Sequence, residues 1–437
     1  MNRLITASAM ALIASLSAAQ AQTEIQWWHA MGGELGAKLE DITKGFNDSQ
    51  DEYTIVPSYK GTYPETMTAA IAAFRAQQQP AIVQVFEVGT GTMMAAKGAI
   101  VPVHQLMTDN DVAFDPNAFL PAVVGYYTDT DGNMLSMPFN SSTPILYYNK
   151  DVFEKAGLDR DTPPKTWAEV VEFSNKIKES GAATCGFTTG WISWIQTENL
   201  SAWHNQPIGT EQNGFGGTAA RLSLNGPVQV KHWENLKKWA DEGIFKYGGP
   251  VGGDNAPPMF YSQDCAMIMN SSASRAGVIA NAKDFEVGYG MLPYYDDVEG
   301  APQNSIIGGA TLWVLSGRPD AEYAGVAKFF EYLSSPAVQA DWASFSGYLP
   351  ITQAAMDQMG DFYAQNPGAD TGIKQITLNA PTENSKGLRF GNYVQIRGII
   401  DEEFEQLLSG SKDAQGALDS VVERGDALLA EFQAQNQ

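Results

Sequence analysis

The sequence predicts an α/β protein built as two lobes, and three observations point there. An apolar strand, Ile25-Gln26-Trp27-Trp28, passes through Gly32-Gly33 into an amphipathic helix and then a second strand (Tyr53, Ile55, Pro57, Tyr59). Strand-like apolar runs keep alternating with helical stripes along the chain. The 437 residues are also too many for one hydrophobic core, so two domains are the default.

Residues 1–21 read as a cleaved secretory signal. Arg3 makes a positive start, Leu4 to Leu16 an apolar core, and Ala19-Gln20-Ala21 a small-residue cleavage site. That core is too short to span a bilayer, and no later apolar run is long enough. The first helix of the mature chain carries Leu35, Leu39, Ile42 and Phe46 on one face. Pro64 suits a first helical position, with Met67, Ile71 and Phe74 behind it. The unbroken run Ala81 to Phe86 suits a strand buried on both faces of a parallel sheet. It ends at Glu87-Val88-Gly89, where open α/β sheets bind ligands.

Met134 to Asn149 is a further apolar stretch, interrupted by Phe139-Asn140-Ser141-Ser142-Thr143-Pro144, which reads as a strand crossing between domains and exposing polar groups in a cleft. Thr166-Trp167-Ala168-Glu169 is a capping-box pattern, followed by the stripe Val170, Phe173 and Ile177. A Trp- and Asn-rich segment spans Gly190 to His204. The strand Asp264 to Met269 runs into a helix start at Asn270 to Ser274. A strand near Ser305-Ile306-Ile307 meets Gly308-Gly309 and then Thr311 to Leu315. The end is helical, broken at Gly410 before a last helix with Leu418, Val422 and Leu428.

With 27 Lys and Arg against 50 Asp and Glu, the net charge is −23. Such a chain will not hold nucleic acid or anionic lipid through bulk charge, and an anionic ligand needs a local site that overcomes the field. The four histidines and two cysteines show no paired ligand spacing, so neither a metal nor another cofactor is expected. Cys185 and Cys265 are an even pair in an exported chain. They allow a disulfide, or else two separate buried thiols, since neither count nor spacing fixes their proximity.

The order of elements resembles the periplasmic binding proteins of ABC importers, and within them the glycerol-3-phosphate-binding branch. The matching stretches run along the whole mature chain: Glu34-Leu35-Gly36, Val56 to Gly61, Gln84 to Thr90, Pro138 to Pro144, Ala301 to Ala310, Gly347 to Thr352, and Gly387-Leu388-Arg389 through Gln395-Ile396-Arg397. The resemblance implies the type II periplasmic-binding-protein fold, with a hinge and an interlobe cleft. The chain would pass between lobes more than once, with an N-terminal lobe at 22–139 and 311–357 and a C-terminal lobe at 140–310 and 358–437. It implies a ligand of the sn-glycerol-3-phosphate or glycerophosphodiester class, such as glycerophosphocholine. It also implies transmembrane permease subunits with a cytoplasmic ATPase as partners, a monomer, and no enzymatic turnover.

Carried onto matching positions, the ligand residues of that branch are Tyr63, Glu87, Ser142, Ser271, Gly309, Tyr348 and Arg397, with Trp167 beside the glycerol end. Arg397 offers planar charge-assisted bonds to a phosphate, or else pairs with an acidic neighbour. Ser271 and Ser272 stand at a helix start, where free N–H groups attract anions and where an ordinary cap also forms. Gly308-Gly309 lets backbone approach an anion, or serves as a hinge. Glu87 accepts hydroxyls, while Tyr63 and Tyr348 donate them or simply pack. Trp167 covers the C–H face of a polyol, or packs between helices. Ser141 and Thr143 are donors as able as Ser142. An exported glycosidase is the competing class. Two carboxylates would suffice for it, but fifty acidic residues make some such pair unavoidable. No nucleophile elbow, zinc motif or phosphate-cradling loop accompanies them.

Overall fold

The computed structural model describes residues 22–129, 131–250 and 255–436, so the signal at 1–21 lies outside the described residues. Two sheets organise it. The first is built from β1 (Thr23–His29), β2 (Tyr53–Tyr59), β3 (Ile82–Phe86), β4 (Ile100–Val101), β5 (Met137–Ser142) and β11 (Gly308–Leu315). Its order is β2-β1-β3-β11-β4, with β5 also pairing β11. The second holds β6 (Pro144–Asn149), β7 (Cys185–Thr189), β8 (Phe245–Tyr247), β9 (Cys265–Ser271) and β10 (Val287–Gly290), in the order β10-β6-β9-β7-β8.

The expected opening unit is present. The helix Gly33–Ser49 buries Leu39, Ile42 and Phe46 between parallel β1 and β2. β3 is buried throughout, Gln84 included, as a strand covered on both faces is. Its neighbours differ in direction, however: β1 runs parallel and β11 antiparallel, so the sheet is mixed. Both capping boxes, Thr62 with Glu65 and Thr166 with Glu169, close on the N-termini of their helices. Ile71, expected on a buried stripe, is 38% exposed.

The interrupted apolar stretch resolves into two strands in different sheets. β5 ends at Ser142 and β6 begins at Pro144, so the chain crosses at Thr143. Pro144 has no N–H to continue the first ladder, which fits a break at this point. The return is made by β11, which starts at Gly308; residues 305–307 are not a strand. Asn140–Ser142 and Gly308–Ala310, expected in the C-terminal lobe, therefore lie in the first sheet. Cys185 and Cys265 are register partners on parallel β7 and β9 with Cα atoms 4.5 Å apart, and they form a disulfide. Among the described residues no helix is long and apolar enough to cross a membrane.

Candidate functional site

A cavity of about 670 Å³ opens between the two lobes. It lies beyond the carboxyl ends of β1, β3, β5 and β9, where the Ala30–Gly33, Phe86–Glu87, Ser142 and Ser271 segments line it.

One wall is a cluster of hydroxyls. Tyr63 opens the helix Tyr63–Arg75 and stacks flat on Phe86, with ring centroids 5.3 Å apart. Its oxygen accepts from Asn140 Nδ2 at 3.0 Å. Asn140 Oδ1 in turn accepts from Gln84 Nε2 at 2.9 Å, and Gln84 Oε1 accepts from the Ala30 N–H at 2.9 Å. That chain of bonds fills one acceptor position of the Tyr63 hydroxyl, whose proton goes to the Tyr348 oxygen. Tyr348 stands beside it, stacked on Trp342 and hydrogen-bonded to Tyr63. Burial pushes the Tyr348 phenol up to about 12 and the Tyr63 phenol well above its ordinary value, so both stay protonated. Ser142 lines the same wall, and Ser271 faces it from the other lobe. The Ser271 oxygen caps the Ala273 N–H at 3.1 Å and keeps its own proton free. Gly32, Gly33, Glu34 and Leu35 bring the N-terminus of the first helix to the cavity, and Gly32 makes no side-chain cap there.

The floor is charged. Arg397, on the helix Tyr393–Leu408, is only 5% exposed. Its Nε and Nη2 donate to the two oxygens of Glu198 at 2.8 and 2.6 Å, and Nη2 also donates to Glu87 Oε1 at 2.5 Å. Glu87 begins the turn after β3, so this last bond joins the two lobes. Nη1 makes no hydrogen bond to any described residue, and Arg397 lines the cavity. Burial raises the Glu87 carboxyl despite the pull of Arg397, and lifts Glu198 to about 7. For Arg397, burial is outweighed by Glu198 and Glu87, which hold the guanidinium protonated. Gly309, at φ +103°, turns its N–H toward the Glu87 carboxylate. A Cβ at Gly309 would come within 2.1 Å of the Asn140 carbonyl oxygen, so only glycine fits.

The remaining wall is aromatic. Trp191 and Trp194 meet edge to face at 6.5 Å, and both line the cavity. Trp194 starts a π-helical turn, Trp194–Asn199, that also carries Glu198. Turns of this kind recur at functional sites because they re-aim side chains. Asn199 secures this one by donating to the Trp194 carbonyl and accepting from the Ile306 N–H.

A cleft between two lobes with a few convergent polar groups is a common kind of small-molecule site. Residues 41–371 match the family described as bacterial extracellular solute-binding protein. The chain belongs to that family. It is 50% identical over 430 residues to the sn-glycerol-3-phosphate-binding periplasmic protein UgpB of Rhizobium meliloti (strain 1021), covering 98% of this chain and 99% of that one. It is also 50% identical over 432 residues to the UgpB of Yersinia pseudotuberculosis serotype I (strain IP32953), covering 98% and 97%. Among solved structures it is similar to UgpB from Mycobacterium tuberculosis in complex with glycerophosphocholine (TM-score 0.78, 20% identity, 94% and 99% covered). It is also similar to the GacH receptor of Streptomyces glaucescens (TM-score 0.77, 18% identity, 94% and 99% covered). At such identities the structural likeness speaks for the fold alone.

In this solute-binding protein seven of the eight expected residues line one cavity: Tyr63, Glu87, Ser142, Ser271, Gly309, Tyr348 and Arg397. Trp167 does not. It is 3% exposed in the core of the second lobe, stacked on Trp239 at 5.2 Å and against His232 at 4.7 Å. Its capping-box position places it at a helix start, but that helix packs on β7 and turns the indole inward. Glu87 and Arg397, expected to meet the hydroxyls and the phosphate of a ligand respectively, are bonded to each other. Arg397 is not a free guanidinium awaiting an anion, since two buried carboxylates already hold it. At the Ser271 end, Ser271 and Ser274 line the cavity and Ser272 does not. Sequence reasoning singled out the Trp-rich segment 190–204 without giving Trp191, Trp194 or Glu198 a role. The signal was there in two tryptophans and a glutamate crowded into eight residues of an otherwise weakly charged stretch.

Proposed function

We propose that this chain is the periplasmic solute-binding component of an ABC importer. It captures sn-glycerol-3-phosphate, together with glycerophosphodiesters such as glycerophosphocholine, and delivers them unchanged to the transmembrane permease subunits. It works as a monomer and turns nothing over. The observation that carries this reading is the pairing of a hydroxyl wall with a charged floor in one cleft. It comes in a chain half identical, over nearly its full length, to proteins named for binding sn-glycerol-3-phosphate.

The two ends of such a ligand ask for different partners. A phosphate needs several donors, and the hydroxyls of Ser142, Ser271 and Tyr348 supply them from both lobes. Neutral donors facing an anion form charge-assisted bonds without a buried counter-ion, and the first-helix N-terminus adds its dipole. The glycerol end needs acceptors, a donor and an apolar face. Glu87 accepts from its hydroxyls, Arg397 Nη1 donates to them, and Trp191 with Trp194 covers the C–H face. Because the donors belong to both lobes, the ligand draws the lobes together by hinge closure.

Titration calorimetry with sn-glycerol-3-phosphate, glycerophosphocholine and maltose tests the reading. One saturable site for the two phosphoesters, none for maltose, and recovery of unchanged ligand are expected. Binding of maltose alone, or hydrolysis of either ester, would overturn it. Glu87→Gln keeps the side chain's shape and removes its charge. It should weaken sn-glycerol-3-phosphate much more than inorganic phosphate, whereas equal losses would place Glu87 outside hydroxyl recognition.

A further inference from the structure

Glu198 is the most deeply buried member of the charged floor, with its side chain fully shielded from solvent. It does not line the cavity. Nothing about the ligand requires it, yet it makes the best-formed ion pair in the site. Both of its oxygens engage Arg397, at 2.8 and 2.6 Å, in the planar fork-to-fork arrangement open to a guanidinium and a carboxylate. The two nitrogens it takes are Nε and Nη2, the edge whose capture fixes the plane of the whole guanidinium. The only nitrogen left over is Nη1. Without Glu198, Arg397 would keep one carboxylate, Glu87, across the lobe boundary and could rotate about that single bond.

The support for Glu198 is itself rigid. It sits on the π-helical turn Trp194–Asn199, four residues from Trp194. Gln196 of the same turn is anchored on its other side by His232, with Nε2 to Oε1 at 2.9 Å. One short turn therefore places the aromatic face and sets the orientation of the guanidinium together.

We infer that Glu198 is a positioning residue of the ligand site, clamping Arg397 so that Nη1 points into the cleft and Glu87 is held ready to accept the ligand's hydroxyls. This rests on the reading of the floor as the glycerol-recognising end. The clamp works only while Glu198 is ionised, because a protonated carboxyl offers Arg397 one good acceptor where the carboxylate offers two. The groups facing Glu198 are Arg397, which favours its ionised form, and Glu87 and Asp401, which oppose it. The Tyr393 and Tyr126 phenols, both held protonated by burial, stand close by. The balance, in which burial is the largest influence, raises its titration to about 7.

The test is the affinity for glycerophosphocholine between pH 6 and pH 8, by calorimetry, for wild type and Glu198→Gln. A phosphodiester is used because its single ionisation lies far below this range, so the ligand's charge stays constant. Wild-type affinity should rise severalfold from pH 6 to pH 8. Glu198→Gln should bind at least tenfold more weakly at pH 8 and show a flat profile. Parallel profiles in the two proteins would overturn the proposal even if the variant binds weakly, since a merely structural loss leaves the pH dependence intact. Should Glu198→Gln not fold, the wild-type profile decides alone: a rise supports the clamp and a constant affinity overturns it. A wild type that binds neither glycerophosphocholine nor sn-glycerol-3-phosphate at any pH would overturn the reading of the cleft itself, and the clamp with it.

Discussion

Two buried polar networks meet on the turn Trp194–Asn199, and they resolve the cost of burial in opposite ways. On one side, Gln196 leads into a neutral network. His232 donates through Nε2 to Gln196, and its Nδ1 accepts from the Tyr295 hydroxyl at 2.9 Å. His204 accepts the Tyr295 N–H at 2.9 Å through Nε2 and donates through Nδ1 to the Leu200 carbonyl. Burial lowers His204 to about 4 and His232 well below its ordinary value, so both rings remain uncharged. On the other side, Glu198 leads into Arg397 and Glu87, two anions around one cation. The neutral network is closed, with the ring nitrogens of both histidines engaged. The charged one keeps an unused donor, Arg397 Nη1, at the edge of a cavity. Burial alone therefore does not mark a functional residue. An unfilled hydrogen-bonding position facing a cleft does, and Trp167 packs its ring against the closed network at His232 while Trp194 lies beside the open one.

The largest effect should come from breaking the charged network. Arg397→Ala leaves two buried carboxylates without a counter-charge, which costs about 3–5 kcal/mol of folding stability by urea unfolding. Ligand binding should be lost as well. Replacing all three groups together, Glu87→Gln, Arg397→Met and Glu198→Gln, should restore most of the stability and none of the binding. If Arg397→Ala unfolds within about 1 kcal/mol of wild type, the three charges do not act as one buried unit.

The two tryptophans sharpen the contrast. Trp167→Ala empties a packed core position and should cost about 3–5 kcal/mol of stability, with the protein that stays folded binding within threefold of wild type. Trp191→Ala, at a half-buried wall position, should do the reverse: affinity falls about tenfold, equivalent to about 1.4 kcal/mol, and stability changes less than that. Loss of binding on Trp167→Ala without loss of stability would return that residue to the site.

A smaller effect separates the networks by pH. The native carboxyl of Glu198 titrates near 7, against an ordinary value of 4.5. Between those values the native state holds a proton that the unfolded chain has released. The contribution of Glu198 is complete below about pH 4.5 and declines as pH rises through 7. His204 has the opposite sign. Its contribution is complete above 6.5 and is lost as pH falls through 4, because the unfolded chain takes up the proton first. The stability of Glu198→Gln relative to wild type should therefore improve from pH 5 to pH 7, by at most about 1.4 kcal/mol per pH unit. His204→Gln should flatten the acid limb below pH 6.5. Chemical denaturation at pH 5, 6 and 7 reads both, and a pH-independent difference between Glu198→Gln and wild type would show that this carboxyl does not titrate in that window.

Much of the architecture was legible along the chain because its signals are local. Leu39, Ile42 and Phe46 recur at helical spacing and are buried on one face. Thr166 and Glu169 form the capping box their spacing announces. The largely apolar run of β3 ends just before Glu87, at the carboxyl end of the strand, where such sheets present a ligand group. Seven candidate residues reached a common cavity because motif resemblance carries position. Partnership was harder to see. Glu87 and Arg397 stand 310 residues apart, and Glu198 and Arg397 stand 199 apart.

By itself, the sequence determined the alternation of strand and helix, the helix starts, the interruption somewhere within Phe139–Pro144 and the residue types available to a phosphoester site. Each depends on neighbours within a turn or a strand, through periodicity, φ restriction and capping. The tertiary structure decided which cysteine pairing forms, because only the parallel register of β7 and β9 brings Cys185 beside Cys265. It also decided which tryptophans face the cleft and which carboxylates hold the arginine. Those are matters of direction and distance between elements far apart in the chain, set by how helices pack on sheets. No local pattern in the sequence encodes the direction in which Trp167 or Trp194 finally points.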